Sequence, residues 1–232
     1  MTENIKTIEI IIPVFNGEKT LIPLTERIHS SLSGHPVRLL FVDDGSRDGS
    51  RDLILHLQQH YPYVRSYFHQ ENQGQQQAVL RGLSMIETDS DYVVTMDDDL
   101  QNPPELLPRL LAEIRQGRDL VYGVPEGQRG PLYRRIGSRM RNLLFTWFLG
   151  KPRGVEVSAY RIMTRELAQK IAGASGSFFY FSAEAFRHKP LRATHILYPY
   201  RPRLHGSSSY DLPKLALLYS RILYHYVIRR NR

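Results

Sequence analysis

The sequence predicts an α/β fold with a mostly parallel central sheet, on three observations. Short apolar, β-branched runs alternate with stretches of helical period. The two most acidic segments each follow such a run directly, and glycine, asparagine and proline punctuate the joins. Alternating strands and helices imply a layered sheet with crossover helices. Such sheets bind ligands beyond the carboxyl ends of their strands, where both acidic segments fall.

The elements follow in order. Ile8–Val14 reads as a first strand, stopped by Phe15-Asn16-Gly17-Glu18, and residues 18–33 read as a helix with Leu21, Leu24, Ile28 and Leu32 on one face. Residues 37–42 form a second strand ending in Asp43-Asp44-Gly45-Ser46-Arg47-Asp48-Gly49-Ser50, and residues 52–60 a helix. Val64–Phe68 is a short third strand, Asn72-Gln73-Gly74 a loop and 75–87 a helix. Residues 92–96 then form the strand that delivers Asp97, Asp98 and Asp99. From Asp211 onward Leu, Ile and Tyr recur through one helical stretch with a cationic end. Two units are expected: a catalytic domain over 1–210 and a basic amphipathic helix over 211–232 with no transmembrane segment. No internal repeat or low-complexity segment is present.

Composition narrows the function classes. A chain of 232 residues, 41% hydrophobic and 23% charged, is long enough to bury one sizeable core. Without cysteine it can hold neither a disulfide framework nor a thiolate metal site. The start Met1-Thr-Glu-Asn-Ile-Lys6 lacks the basic and apolar regions of a signal peptide, so a cytoplasmic protein is expected. The net charge of +8 is concentrated late: residues 187–232 hold 10 Lys and Arg against Asp211 alone. A second block, Arg129, Arg134, Arg135, Arg139, Arg141, Lys151 and Arg153, meets no acid between 127 and 153. Such blocks favour phosphate-bearing partners: a nucleotide, a lipid phosphate, anionic headgroups or nucleic acid.

The acidic strand ends carry the chemistry. In extended chain Asp97 and Asp99 point to one side and Asp98 to the other. Paired oxygen ligands of this kind suit Mg2+ or Mn2+, which complete their shells with water and substrate phosphates; a solvated acidic turn before Pro103-Pro104 is the alternative. Asp43 and Asp44 can accept a hydrogen bond from a nucleobase or ribose, or simply shape an Asp/Gly/Ser turn.

Ile12-Pro13-Val14-Phe15-Asn16-Gly17-Glu18, Val42 to Ser50, Asn72-Gln73-Gly74 and Met96 to Glu105 together resemble the family-2 glycosyltransferases of the GT-A fold, the Rossmann-like nucleotide-diphospho-sugar transferases. The flavour is that of the polyprenyl-phosphate glycosyltransferases, such as dolichyl-phosphate mannose synthases and bactoprenol glucosyltransferases. Weaker matches at 129–138 and 203–210 extend the likeness. The resemblance implies that Pro13, Phe15, Asn16 and Glu18 border the nucleotide of a UDP- or GDP-linked sugar. It implies that Asp44, with Asp43 and Gly74, lies at the base, and that Asp97 and Asp99 hold the metal, with Asp98 in a variable slot and Gln101 nearby. Arg129, Arg135 and Arg203 are the candidates to stabilise the leaving diphosphate, and Ser138 and Ser208 to meet the acceptor phosphate.

Two departures bear on the acceptor. Relatives often carry an Asp just before an aromatic-Arg pair, where this chain has Ala159 before Tyr160-Arg161, and often a Lys where this chain has Ser209. A phosphate acceptor is already ionised, whereas a hydroxyl needs a base, for which Glu156 is the candidate. The expected activity is therefore inverting transfer of a hexose to a polyprenyl phosphate at the inner membrane face, or else to a glycan or lipid-linked hydroxyl. A non-catalytic nucleotide- or nucleic-acid-binding protein is the third reading, but no nucleic-acid module is recognisable and no such partner is expected. The helix from Asp211 and the 139–149 segment suit an anionic membrane interface, or packing on the protein itself or on a second copy in a homo-oligomer.

Overall fold

The computed structural model describes residues 6–127, 142–143, 145–174, 178–200 and 212–228. A seven-stranded sheet organises the chain, in the order β3-β2-β1-β4-β6-β5-β7. Its strands are β1 (Ile8–Val14), β2 (Val37–Asp43), β3 (Val64–Phe68), β4 (Tyr92–Thr95), β5 (Leu120–Glu126), β6 (Arg161–Thr164) and β7 (Ala193–Pro199). β6 runs antiparallel to β4 and β5, and every other neighbouring pair is parallel, as the alternating sequence pattern implies. The helices are α1 (Leu21–Ser31), α2 (Ser50–His60), α3 (Gln75–Leu83), α4 (Leu107–Ile114), α5 (Arg165–Ala172), α6 (Phe181–Ala185) and α7 (Leu212–Leu223), the last continuing as a π-helical turn over Tyr224–Ile228.

β1 shows why the sheet is covered on both sides. Ile8, Ile10, Ile12 and Val14 face α1, α2 and α4 in one apolar cluster, while Ile11 faces α3, α5 and α6 in the other. Successive strand side chains alternate between faces, so a run without polar interruption must be buried twice. Glu9, on the same strand, is completely buried, and its carboxylate accepts from Ser90 Oγ and Glu87 N at 2.8 Å and from Arg65 Nη1 at 3.3 Å. Those bonds draw 84–91 off the helical path, so α3 stops at Leu83 rather than running to 87. α1 is likewise shorter than the helix expected over 18–33, because Glu18 and Thr20 are engaged in the preceding turn.

The carboxyl-terminal helix packs on this body. Ile222 and Tyr226 join the core cluster of α6, and the Tyr226 hydroxyl accepts from Tyr180 N at 3.1 Å. Leu217, Tyr224 and Ile228 stay exposed on the helix. A helical turn at 145–148 buries Phe145 against Tyr180 and Phe186 and leaves Trp147 75% exposed, with Leu143 and Phe148 also exposed. No helix among the described residues is long and apolar enough to cross a membrane.

Candidate active site

The ends of β1, β2 and β4 meet at one edge of the sheet. Val14 pairs with Asp43, and Ile11 pairs with Thr95, so continuing the register sets Asp97 to Asp99 level with Pro13 to Phe15. The acidic segments that are 53 residues apart in sequence, from Asp44 to Asp97, therefore flank a single strand. Pro13 is buried within β1, while Phe15, Asn16 and Glu18 are exposed at the rim.

The β1 and β2 loops are knitted together. Asn16, at a φ of 56°, donates its backbone N–H to Ser46 Oγ at 2.9 Å and accepts from Arg47 N at 2.8 Å. Gly17 N donates to Ser50 Oγ at 2.8 Å, and Gly49 N donates to Glu18 Oε2 at 3.1 Å. Asn16 and Glu18 thus shape the rim through their side chains as well as lining it. Gly17 is needed here because a Cβ would lie 2.3 Å from Asp98 Oδ2.

The two aspartates of the β2 end have different surroundings. Asp44 Oδ1 is 2.9 Å from His69 Nδ1, which donates, and accepts from Gln73 N at 2.9 Å; Oδ2 accepts from Gly74 N at 2.8 Å. Its capacity goes largely into the 69–74 loop. Asp43 Oδ2 accepts from Ser46 N at 3.3 Å, whereas its Oδ1 is buried with no hydrogen-bond partner. Of the two neighbours, Asp43 is the one that keeps a buried acceptor oxygen open.

At the β4 end, Gln75 Nε2 donates to Asp97 Oδ1, and Gln101 N donates to Asp99 Oδ1 at 3.1 Å. Asp98 Oδ2 is buried without a partner, and burial, reinforced by Asp97 and Asp99, pushes the Asp98 carboxyl up to about 7 despite hydrogen bonds from backbone N–H groups. Leu100, at a φ of 60°, adopts the left-handed conformation just beyond the triplet. The loop beyond is held by two buried tyrosines: Tyr160 donates to Pro103 O at 3.0 Å and Tyr198 to Asn102 Oδ1 at 3.2 Å.

Among the described residues no three acidic or histidine side chains converge as a protein-only metal cage. The residues fit a divalent cation of the other kind, held by one or two carboxylates and completed by water and phosphate. Three consecutive carboxyls with one buried oxygen unpartnered call for added positive charge. Asp97 and Asp99 would hold the ion, with Gln101 beside Asp99.

Arg161 lies beneath this edge, buried with its guanidinium 3.4 Å from the Phe181 ring centroid. Its Nε donates to Thr95 Oγ1 at 2.8 Å and its Nη1 to Ser158 O at 3.2 Å, while Thr95 Oγ1 donates to Ala159 O at 2.9 Å. Burial lowers the Arg161 pKa to about 10, with Asp97 among the groups that counter it. The 150–160 loop is thereby clamped to β4, and Glu156 is exposed on it between buried Val155 and Val157. Arg129, Arg135, Ser138, Arg203 and Ser208 lie outside the described residues.

Sequence reasoning named Tyr160 and Arg161 only as the aromatic-Arg pair after Ala159, and missed His69, Gln75 and Tyr198. Of these three, only Gln75, directly after Asn72-Gln73-Gly74, stood within reach of a motif.

The seven-stranded sheet, with carboxylates beyond its central strands, defines a GT-A fold. Solved structures of glucosyl-3-phosphoglycerate synthase from Mycobacterium tuberculosis align accordingly. The complex with Mn2+, uridine-diphosphate and phosphoglyceric acid gives a TM-score of 0.67 at 18% identity, covering 94% of this chain and 76% of that one. The complex with Mg2+ and uridine-diphosphate gives 0.66, covering 94% and 77%. The family model for glycosyl transferase family 2 matches residues 9–188, and the chain belongs to that family. Among curated relatives, the undecaprenyl-phosphate 4-deoxy-4-formamido-L-arabinose transferase of Yersinia enterocolitica serotype O:8 / biotype 1B is 31% identical over 219 residues, 92% of this chain and 65% of the relative. Its counterpart from Salmonella paratyphi B is 31% identical over 216 residues, 91% and 64% respectively. The chain thus spans just under two thirds of the length of these relatives.

Proposed function

We propose that this protein is a divalent-cation-dependent, inverting glycosyltransferase that moves a sugar from a nucleoside-diphosphate donor to a polyprenyl phosphate. One observation carries the reading: Asp43 at the end of β2 and Asp97, Asp98 and Asp99 beyond β4 flank the β1 rim, so one edge offers an acceptor for a base or ribose and anionic groups for a cation on a diphosphate. The relatives' names supply the acceptor class, and the Mn2+, Mg2+ and uridine-diphosphate of the structural neighbours support the donor and cofactor classes.

In this reading Asp43 takes the base or ribose, the 13–18 rim borders the nucleotide, and Asp97 and Asp99 would hold Mg2+ or Mn2+. The cation's chemistry, when bound, is to offset the charge that grows on the leaving group. The acceptor phosphate oxygen attacks the anomeric carbon from the face opposite the leaving group. The carbon–oxygen bond to the donor's β-phosphate breaks, and the nucleoside diphosphate leaves with the electron pair. Arg129, Arg135 and Arg203 are assigned to that departing charge and Ser138 and Ser208 to the incoming phosphate. Bringing the two reactants together in line supplies much of the acceleration. No general base is required, because a phosphate monoester is ionised at neutral pH.

The expected hexose is one choice of sugar; the relatives' names carry a formamido-arabinose, a pentose, so the reading is framed for a glycosyl group. A second acceptor reading rests on Glu156, exposed on the loop clamped to the β4 end, which offers a base for a hydroxyl acceptor. Peripheral binding to an anionic inner membrane face is supported by exposed Trp147, Phe148, Leu217 and Tyr224 and by the basic block that surrounds them in sequence. We keep the helix from 211 as the membrane-facing unit beside a catalytic domain over 1–210.

The test is transfer of labelled sugar from UDP- and GDP-hexoses and from nucleotide-linked 4-deoxy-4-formamido-L-arabinose to undecaprenyl phosphate, with Mn2+, with Mg2+ and with EDTA. Cation-dependent label in the lipid is expected. Label only in a glycan hydroxyl acceptor would favour the second reading, and equal transfer in EDTA would remove the cation.

A further inference from the structure

We infer that His69 is a positioning residue for the cation side of the donor site, acting through Asp44 and the 69–75 loop on Gln75 and hence on Asp97. This rests on the reading of Asp97 and Asp99 as the cation-holding pair.

β2 and β4 lie on opposite sides of β1, so their ends are about 10 Å apart at the usual spacing of neighbouring strands. The segment from His69 to Gln75 joins the two ends. His69 N donates to Asp43 O at 2.8 Å, which fixes the segment's start at the end of the β2–β3 ladder. The His69 imidazole and the backbone N–H groups of Gln73 and Gly74 then converge on the Asp44 carboxylate. Among the described residues no other side chain hydrogen-bonds the backbone of 70–74. Both members of the His69–Asp44 pair are almost fully buried, so water cannot replace either partner cheaply.

Gly74 converts this grip into direction. At φ 91° and ψ 149° it adopts a conformation reserved for glycine, and it is the residue from which α3 starts. Its N–H is held by Asp44, so Asp44 sets where the first turn of α3 begins. The first residue of that turn, Gln75, donates to Asp97 Oδ1, and the second, Gln76, accepts from Phe181 N at 2.9 Å through Oε1. Removing the imidazole leaves Asp44 Oδ1 with the Gln73 N–H alone, and the start of α3 loses a fixed reference. His69 also meets the Tyr67 ring edge-on, with centroids 5.3 Å apart. A purely packing role would depend on that contact and on the volume filled, and would leave Asp97 untouched.

The experiment uses the full chain and calorimetric binding of UDP and of GDP, each with Mn2+ and with EDTA, alongside thermal melting. The reading is the ratio of affinity with Mn2+ to affinity in EDTA. His69→Leu is expected to lower that ratio about tenfold, the size of one lost charge-assisted hydrogen bond. His69→Asn, whose amide can donate from the position of Nδ1, is expected to restore it to within about threefold. Gln75→Leu should give the same loss, and the double variant no more than either alone, because both act on one chain of contacts. Leu57→Ala, a core change in α2 remote from the loop, serves as the control for lost stability and should leave the ratio unchanged. An unchanged ratio in His69→Leu, equal losses in His69→Leu and His69→Asn, or multiplying losses in the double variant would overturn the inference alone. If the wild-type chain binds neither nucleotide better with Mn2+ than without it, the cation reading fails and this inference falls with it.

Discussion

The two edges of the sheet use the same residue types to opposite ends. At the edge where strands begin, carboxylates are matched: Glu9 with Arg65, Ser90 and the Glu87 N–H, Asp91 with Lys6 at 2.8 Å, and Asp89 with Arg38 at 2.6 Å. At the edge where β1, β2 and β4 end, Asp43 and Asp98 each keep a buried oxygen without a partner, and three carboxyls stand in succession. An unpaired buried polar group costs free energy that the rest of the fold must offset. Matched carboxylates hold the protein together, whereas in the proposed reading the unmatched ones are where a ligand completes the electrostatics. Strain and unsatisfied groups collect at functional sites for this reason.

The largest test of that contrast is at Asp99. Asp99→Asn is expected to lower transfer at least about a hundredfold, the usual scale for losing one group that offsets transition-state charge, with the melting temperature almost unchanged. Asp97→Asn should behave alike. Full activity in both would place the cation elsewhere.

Glu9→Gln is the converse. It removes the charge from a fully buried acceptor and leaves Glu87 as the ion-pair partner of Arg65, beside the Met85 carbonyl, so a loss of about 2–3 kcal/mol is expected, discounted from a fully buried pair because Arg65 is partly exposed. Chemical denaturation reads this directly, and the Mn2+ dependence of donor binding should not move.

Asp98 ties stability to pH in the unusual direction. A carboxyl raised from 3.8 to about 7 binds its proton more tightly in the folded state, so its contribution is fully present below pH 3.8 and is lost as pH rises through about 7. In EDTA, Asp98→Asn should therefore raise the melting temperature by several degrees at pH 8, and the gain should vanish near pH 4. A gain that is constant across that range would point to packing instead of charge.

Asp91 supplies the smallest and opposite effect. Burial raises its pKa, but the Lys6 side chain and the Thr7 N–H more than reverse this and hold it below the usual range. Its contribution is present above about pH 3.8 and is lost as pH falls through the depressed value. Asp91→Asn should cost about 0.5 kcal/mol at neutral pH, as partly exposed ion pairs do, and flatten the acid limb of the melting profile.

Membrane binding can be probed without disturbing either edge. Because Ile222 and Tyr226 belong to the core, deleting 211–232 would damage the fold, so paired substitutions at exposed Trp147 and Leu217 are the cleaner variants. Reduced sedimentation with anionic vesicles and unchanged melting are expected; full retention would count against a membrane face at these helices.

The sequence by itself determined the parallel sheet, the helices of its first half and the acidic strand ends. These features are local: an unbroken apolar run such as 10–14 must be buried on both faces, and glycine, asparagine and aspartate beyond strand ends break the ladder. Tertiary structure decided which carboxylate is matched and which is left open. Asp43 and Asp44 are neighbours with the same side chain, and only the arrival of His69, Gln73 and Gly74 at Asp44 leaves the open oxygen to Asp43. Glu9 reads as an ordinary polar interruption until Ser90 and Arg65 close around it. Arg161 likewise carries no signal of burial until Phe181 stacks on it. Hydrophobic periodicity is written in neighbouring residues, whereas the worth of a charge depends on partners that the fold brings from far along the chain.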